Sequence, residues 1–181
     1  MIVFGLGNPG SKYKDTRHNV GFMTVERMAE LSGLKLRKAC LLSYRKAMRD
    51  DLVLVEPLTY MNRSGIIFPS LVKNQDKIVV VVDNLDLPVG RLKIKRGGSS
   101  AGHNGLKSII GAIGEDFIRV YIGISRPKEG IDIASYVLSS FSEEERKKLD
   151  KAIDEAVVAI KSIYESEDMN RVIQRANSFN A

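Results

Sequence analysis

Two histidines occur in the 181-residue chain, and each lies in a polar, glycine-rich stretch rather than in an apolar run. His18 follows Gly5-Leu6-Gly7-Asn8-Pro9-Gly10 and Tyr13, and His103 sits in Gly97-Gly98-Ser99-Ser100-Ala101-Gly102-His103-Asn104-Gly105. Asp83 directly follows the run Ile78–Val82, and Asn62 lies in Leu58-Thr59-Tyr60-Met61-Asn62. An imidazole, a carboxylate and several amides suit a histidine general base that acts on water. The acid then fixes the tautomer and favours the imidazolium that forms. Amides orient a peptide-like substrate and donate to an oxyanion. This set suits an ester better than an amide, because an alkoxide leaving group needs less help.

Competing chemistries lack their residues. Zinc needs three or four ligands, yet there is no H-x-x-x-H, and Cys40 is alone. No metal and no cofactor are therefore expected. The G-x-S-x-G elbow of a serine hydrolase is absent. Gly5–Gly10 matches G-x-G-x-x-G after a strand, but dinucleotide binding needs a helix opening at the glycines. The polar segment Ser11–Thr16 follows instead, with the helical pattern starting near Thr16 or His18.

These groups must be positioned by strands and helices. Ile2–Phe4 reads as a buried strand broken by glycine and proline, and Ile78–Val82 as a central strand covered on both faces. Both strands then end at chemistry-bearing loops, where open α/β sheets bind ligands. Phe22, Val25, Met28, Ala29 and Leu31 recur at helical spacing, stopped by Gly33. Leu41–Met48 and Leu52–Val55 read as strands joined by a polar turn, with Cys40 as a small buried hydrophobe. A short helical pattern through Ile66, Ile67, Leu71 and Val72 follows Asn62, which is equally a helix cap or a binding amide. Leu92 and Ile94 alternate with cations, a helix spans Leu106 to about Ile113, and Phe117–Ile124 is a further strand. Ser142 with Glu145 forms a capping box before a long helix, and Met169, Val172 and Ile173 mark a last amphipathic piece.

The chain carries a net charge of +6. Arg91, Lys93, Lys95, Arg96 and Lys107 fall in an acid-free window from Leu87 to Gly114. The window reads either as a solvated basic face or as a polyanion site beside the glycine loop. Length fits one domain, residues 1–181. Without a secretory h-region, a membrane-length apolar run or a cysteine pair, the protein is expected in the cytoplasm.

Four motifs in order, GLGNPG with Tyr13 and RHNVG, TYMN with SG, VVVVDNLDLPVG, and GHNGLKSII, resemble bacterial-type peptidyl-tRNA hydrolase. The similarity runs from Phe4 to about Pro127, and more loosely beyond. It implies a single-domain α/β/α layer structure around a mixed, twisted sheet, a monomer that cleaves the peptide ester on the 3′ ribose of tRNA without a metal. His18 then matches the catalytic base, Asp83 its supporting acid and Asn8 the sensor of the blocked amino end. Tyr13, Tyr60, Asn62 and Asn104, with His103, match positions at the peptidyl-tRNA end. Lys93, Lys95, Arg96 and Lys107 would face tRNA phosphates. The chain departs from the family pattern at Asn84, often glutamate, at Ser99-Ser100-Ala101, usually richer in glycine, and at Tyr121, where a phosphate-gripping arginine is common. The alternative is a catalytically silent RNA-binding member of the fold, against which His18, Asp83 and the asparagines speak.

Overall fold

The structure, a computed structural model, describes residues 1–38, 42–72 and 77–181. Its centre is β1 (Ile2–Gly5) and β5 (Ile78–Asn84), the two apolar runs, lying side by side and parallel. Flanking them are β4 (Leu52–Pro57), parallel to β1, and β7 (Ile118–Gly123), parallel to β5. The margins are antiparallel: β2 (Arg37–Lys38) and β3 (Tyr44–Arg49) on one side, β6 (Leu92–Arg96) on the other. The order is β2-β3-β4-β1-β5-β7-β6, a mixed seven-stranded sheet.

Alternate side chains of a strand leave on opposite faces, and β5 supplies apolar groups to both. Val79 and Val81 join one core with α1 (Val20–Leu31), α5 (Glu143–Tyr164) and α6 (Met169–Ser178). Val80 and Val82 join a second core with the 3-10 turn Met61–Ile67, α2 (Phe68–Leu71) and α3 (Asn104–Ile113). Three layers result. The expected capping box at Ser142 and Glu145 opens α5.

Tight packing aims the first loop. A Cβ on Gly21 would stand 2.3 Å from Leu6 N and 2.5 Å from Val81 O, so only glycine lets α1 lie directly on the ends of β1 and β5. Phe22 N–H then donates to Leu6 O (3.2 Å). The α-helix thus opens ten residues after Gly10, and only a three-residue 3-10 turn, Ser11–Tyr13, follows the glycines, which removes the dinucleotide geometry.

Several boundaries differ from expectation. Asn104, not Leu106, starts α3, because the His103 ring caps it. The 3-10 turn begins at Met61, and Val72 lies just past α2 in extended conformation. Leu31 is 50% exposed, since the chain beyond α1 folds Leu34 and Leu36 against the core instead. Cys40 and Leu41 lie outside the described residues. A short helix, α4 (Ile133–Val137), and strand β2 had no sequence signal strong enough to predict them. Among the described residues, no helix is long and apolar enough to cross a membrane.

Candidate active site

Parallel neighbours β1 and β5 end together, so the loop after Gly5 and the carboxylate of Asp83 meet at one sheet edge. The 3-10 turn Arg17–Asn19 that leads into α1 hangs His18 over that edge. His18 Nδ1 lies 2.8 Å from Asp83 Oδ1, and His103 Nε2 lies 3.0 Å from the same oxygen. The two rings are 5.1 Å apart.

Hydrogen-bond partners fix both tautomers. Gly105 N–H (3.1 Å) and Leu106 N–H (3.3 Å), at the start of α3, donate to His103 Nδ1. Its proton is therefore on Nε2 and points at Asp83. An ionised carboxylate only accepts, so His18 carries its proton on Nδ1 and leaves Nε2 as a free base. Burial pushes the Asp83 carboxyl up, but the charges and hydrogen bonds of the two imidazoles outweigh it, holding the acid well below the usual range. Burial likewise pushes His18 down, and the Asp83 carboxylate overrides it, so the imidazole ends above its ordinary 6.5.

His18, Asp83 and His103 offer three ligand atoms within 4.8 Å, enough in proximity for a metal. Both inner ring nitrogens, however, are committed as donors to Asp83, and the outer nitrogen of His103 takes two backbone N–H groups. A cation would have to displace protons and break this chain.

Asn8 is buried and held from three sides. Its Oδ1 accepts from Met61 N–H (2.9 Å), its N–H donates to Asn19 Oδ1 (2.9 Å), and its C=O accepts from Asn19 Nδ2 (3.0 Å). With Oδ1 occupied, the side chain presents its NH2 as donor. The same bond ties the first loop to the Met61 turn. Asn62 lies inside that turn rather than at its N-cap, Tyr60, and it lines the cleft.

These residues face a cleft of about 800 Å³. Of the candidate residues, Asn8, His18, Tyr60, Asn62, Asp83, Lys93, Lys95, His103 and Asn104 line it. Tyr13, Arg96 and Lys107 do not. Tyr13 ends a separate 3-10 turn and carries Lys12 Nζ 4.7 Å from its ring centre. Arg96 is engaged by both oxygens of Asp116 (2.6 and 2.8 Å), an acid just beyond the acid-free window. Tyr121 also lines the cleft, from the strand beside Lys93.

Sequence reasoning missed three contributors. The apolar wall Ile133, Ala134, Val137 and Leu138 comes from α4 and the residue after it, opposite the polar edge. Arg17 is buried between the rings of Tyr136 and Phe141 (4.5 and 4.6 Å) and pairs with Glu145 (2.7 Å), clamping the His18 turn to the α4–α5 connection. Arg119 is fully buried in β7; a charge inside the apolar run Phe117–Ile124 was its signal.

An α/β enzyme, with an acid-bridged histidine pair opening on a cleft at the ends of its parallel strands, is the class these features define. A family model described as peptidyl-tRNA hydrolase matches residues 2–181. The peptidyl-tRNA hydrolase of Fervidobacterium nodosum is 47% identical over 178 residues, 98% of this chain and 96% of its own length. That of Syntrophotalea carbinolica is 40% identical over 167 residues, 88% of this chain and 87% of its own. The crystal structure of peptidyl-tRNA hydrolase from Acinetobacter baumannii superposes with a TM-score of 0.92 at 33% identity, covering 99% of this chain and 95% of that one. The chain belongs to the peptidyl-tRNA hydrolase family.

Proposed function

We propose that the chain hydrolyses peptidyl-tRNA by a water that His18 activates, with Asp83 fixing and stabilising the imidazole. The observation that carries this is the free Nε2 of His18 in a cleft where Asp83 holds Nδ1 at 2.8 Å. Water gives its proton to Nε2 and attacks the ester carbonyl between the peptide and the tRNA 3′ ribose. The ribose oxygen leaves and takes that proton back, releasing tRNA and peptide. The NH2 of Asn8 donates to the acyl part of the substrate, and Tyr60, Asn62 and Asn104 line the cleft around the peptidyl end. Lys93 and Lys95 meet tRNA phosphates. No metal takes part, and the protein works as a monomer in the cytoplasm on tRNA left by aborted translation.

N-acetyl-aminoacyl-tRNA is the test substrate, with release of free tRNA as the readout. His18→Ala is expected to lower turnover about 10²–10⁴-fold with the circular dichroism spectrum unchanged, and EDTA is expected to have no effect. A folded His18→Ala enzyme with near-normal rate would remove His18 from the reaction. Metal-reversible inhibition by EDTA would overturn the metal-free step. Tight tRNA binding without any hydrolysis by the wild type would favour the silent RNA-binding alternative.

A further inference from the structure

Among the described residues Arg119 is the largest fully buried side chain, and it has no carboxylate partner there. A buried guanidinium without a counter-ion is costly unless its donors are satisfied. Here main-chain oxygens take both Nη groups: Nη1 donates to Ser99 O (2.5 Å), and Nη2 to Gly98 O and Glu115 O (3.5 Å), while Nε has no partner among the described residues. Nη1 also reaches the Tyr121 hydroxyl (3.4 Å), and the charge lies 4.6 Å from the Phe117 ring centre. The guanidinium thus grips the glycine loop from beneath, through two successive carbonyls.

That grip has a geometric consequence. In a trans peptide unit the N–H points opposite to the C=O, and the chain has no cis peptide bond. With the carbonyls of Gly98 and Ser99 drawn inward, the N–H groups of Ser99 and Ser100 face outward. Ser99 and Ser100 line the cleft, and among the described residues neither N–H donates to the protein. Lys95 stands at the same place: a Cβ on Gly98 would meet its Nζ at 2.7 Å. Successive outward N–H groups beside a cation form an anion seat.

We propose that Arg119 is a positioning residue that builds a phosphate seat from the backbone N–H groups of Ser99 and Ser100 with Lys95, to receive a phosphodiester of the substrate's RNA strand. The inference rests on the peptidyl-tRNA reading above. The seat needs no arginine at residue 121: the buried guanidinium two residues earlier orients neutral donors, and Lys95 supplies the exposed charge.

The wild-type enzyme, labelled with ¹⁵N, is titrated with an acceptor-stem RNA hairpin ending in CCA, which carries no ester to cleave. The amide protons of Ser99 and Ser100 are expected to move downfield saturably. Arg119→Met is expected to abolish that movement. It is also expected to raise KM for N-acetyl-aminoacyl-tRNA about tenfold more than KM for a short N-acetyl-aminoacyl ester of adenosine, the worth of one charge-assisted contact. The log–log salt dependence of binding should lose about 0.7–0.9 in slope, as for one phosphate. Arg119→Lys, which keeps a donor and the charge, is expected to restore part of the KM effect. Equal losses on long and short substrates would reduce Arg119 to a packing role and overturn the proposal. If Arg119→Met does not fold, the wild-type titration decides alone, and unmoved Ser99 and Ser100 amides in an enzyme that hydrolyses N-acetyl-aminoacyl-tRNA refute the seat. A wild type that does not hydrolyse that substrate would instead overturn the reading on which the seat rests.

Discussion

Replacing Asp83 by asparagine isolates what the buried carboxylate does. Asn keeps an oxygen able to accept from His18 Nδ1–H and His103 Nε2–H, so the 2.8 and 3.0 Å contacts survive as neutral hydrogen bonds. What vanishes is the negative charge beside an imidazole that, on the proposed mechanism, becomes cationic when water is deprotonated. Two unit charges about 4 Å apart attract by ~4 kcal/mol at an effective dielectric of ~20. Losing ~3–4 kcal/mol of that from the transition state lowers the rate about 10²–10³-fold. The pH profile changes as well. In the wild type the carboxylate overrides burial and lifts the His18 pKa above 6.5, so kcat/KM, which on the proposed mechanism needs neutral His18, is expected to rise with pH through a limb above that value. In Asp83→Asn burial acts unopposed, and the limb is expected below 6.5, with a plateau far lower than the wild type's. Initial rates on N-acetyl-aminoacyl-tRNA from pH 5 to 9 measure both. A limb that stays in place, or a plateau within threefold of the wild type, would show that Asp83 does not act through His18.

Two further outcomes follow from the geometry. Asn8 is oriented with its NH2 outward by the Met61 N–H bond to its oxygen; it can donate to the acyl carbonyl of a blocked amino group but offers no carboxylate to balance a free ammonium. Asn8→Asp supplies the missing acceptor and Asn8→Ala removes the donor, so both are expected to narrow the rate ratio between N-acetyl-aminoacyl-tRNA and aminoacyl-tRNA; a wild-type ratio in both would make Asn8 a scaffold residue. Glu56 is fully buried on β4, and burial raises its carboxyl to about 7 despite the Arg45 guanidinium. A folded-state value above the unfolded 4.5 means that folding takes up a proton between them. This one group's contribution is thus fullest below pH ~4.5 and is lost, by ~1–3 kcal/mol, as pH rises through about 7; urea unfolding at pH 5 and pH 8 should show a more negative pH trend in the wild type than in Glu56→Gln.

The sequence disclosed most where one physical signal dominated. Val79–Val82, β-branched and without a polar break, left little choice but a strand buried on both faces, and that placed Asp83 at a sheet edge. The glycines and proline after Phe4 marked the neighbouring strand end, which brought Asn8 and His18 to the same edge. Signals failed where spatial neighbours decide. Arg96 stood in an acid-free window, yet Arg96 pairs in register with Ile118 across β6 and β7, and this brings Asp116 within reach. Tyr13 had the right residue type but sits on a turn of its own, outside the cleft. Five-residue α4 follows an irregular stretch and carries too short a pattern to read, so the apolar wall went unseen. The double role of His103, capping α3 while bridging to Asp83, depends on a contact across 20 residues that no local spacing encodes.

The way the histidine pair is wired also bears on which bond the enzyme breaks. A peptidyl-tRNA offers one ester among many amides, and all of them are carbonyl targets for an activated water. His103 donates Nε2–H to Asp83 and accepts at Nδ1 from the start of α3, so it has no proton to give a leaving group. His18 alone faces the cleft with a free nitrogen, and on the proposed mechanism that one atom must take the proton from water and return it. An amine leaving from a tetrahedral intermediate must be protonated before the C–N bond breaks, whereas a ribose alkoxide departs with the proton only partly transferred. A single nitrogen can return its proton to an amine as well as to an alkoxide. This wiring therefore does not forbid amide cleavage, but without a second acid it favours the ester, whose leaving group needs the proton less. On the proposed mechanism the bias toward the ester comes from its better leaving group, and His103, engaged on both nitrogens, adds no second acid to offset it.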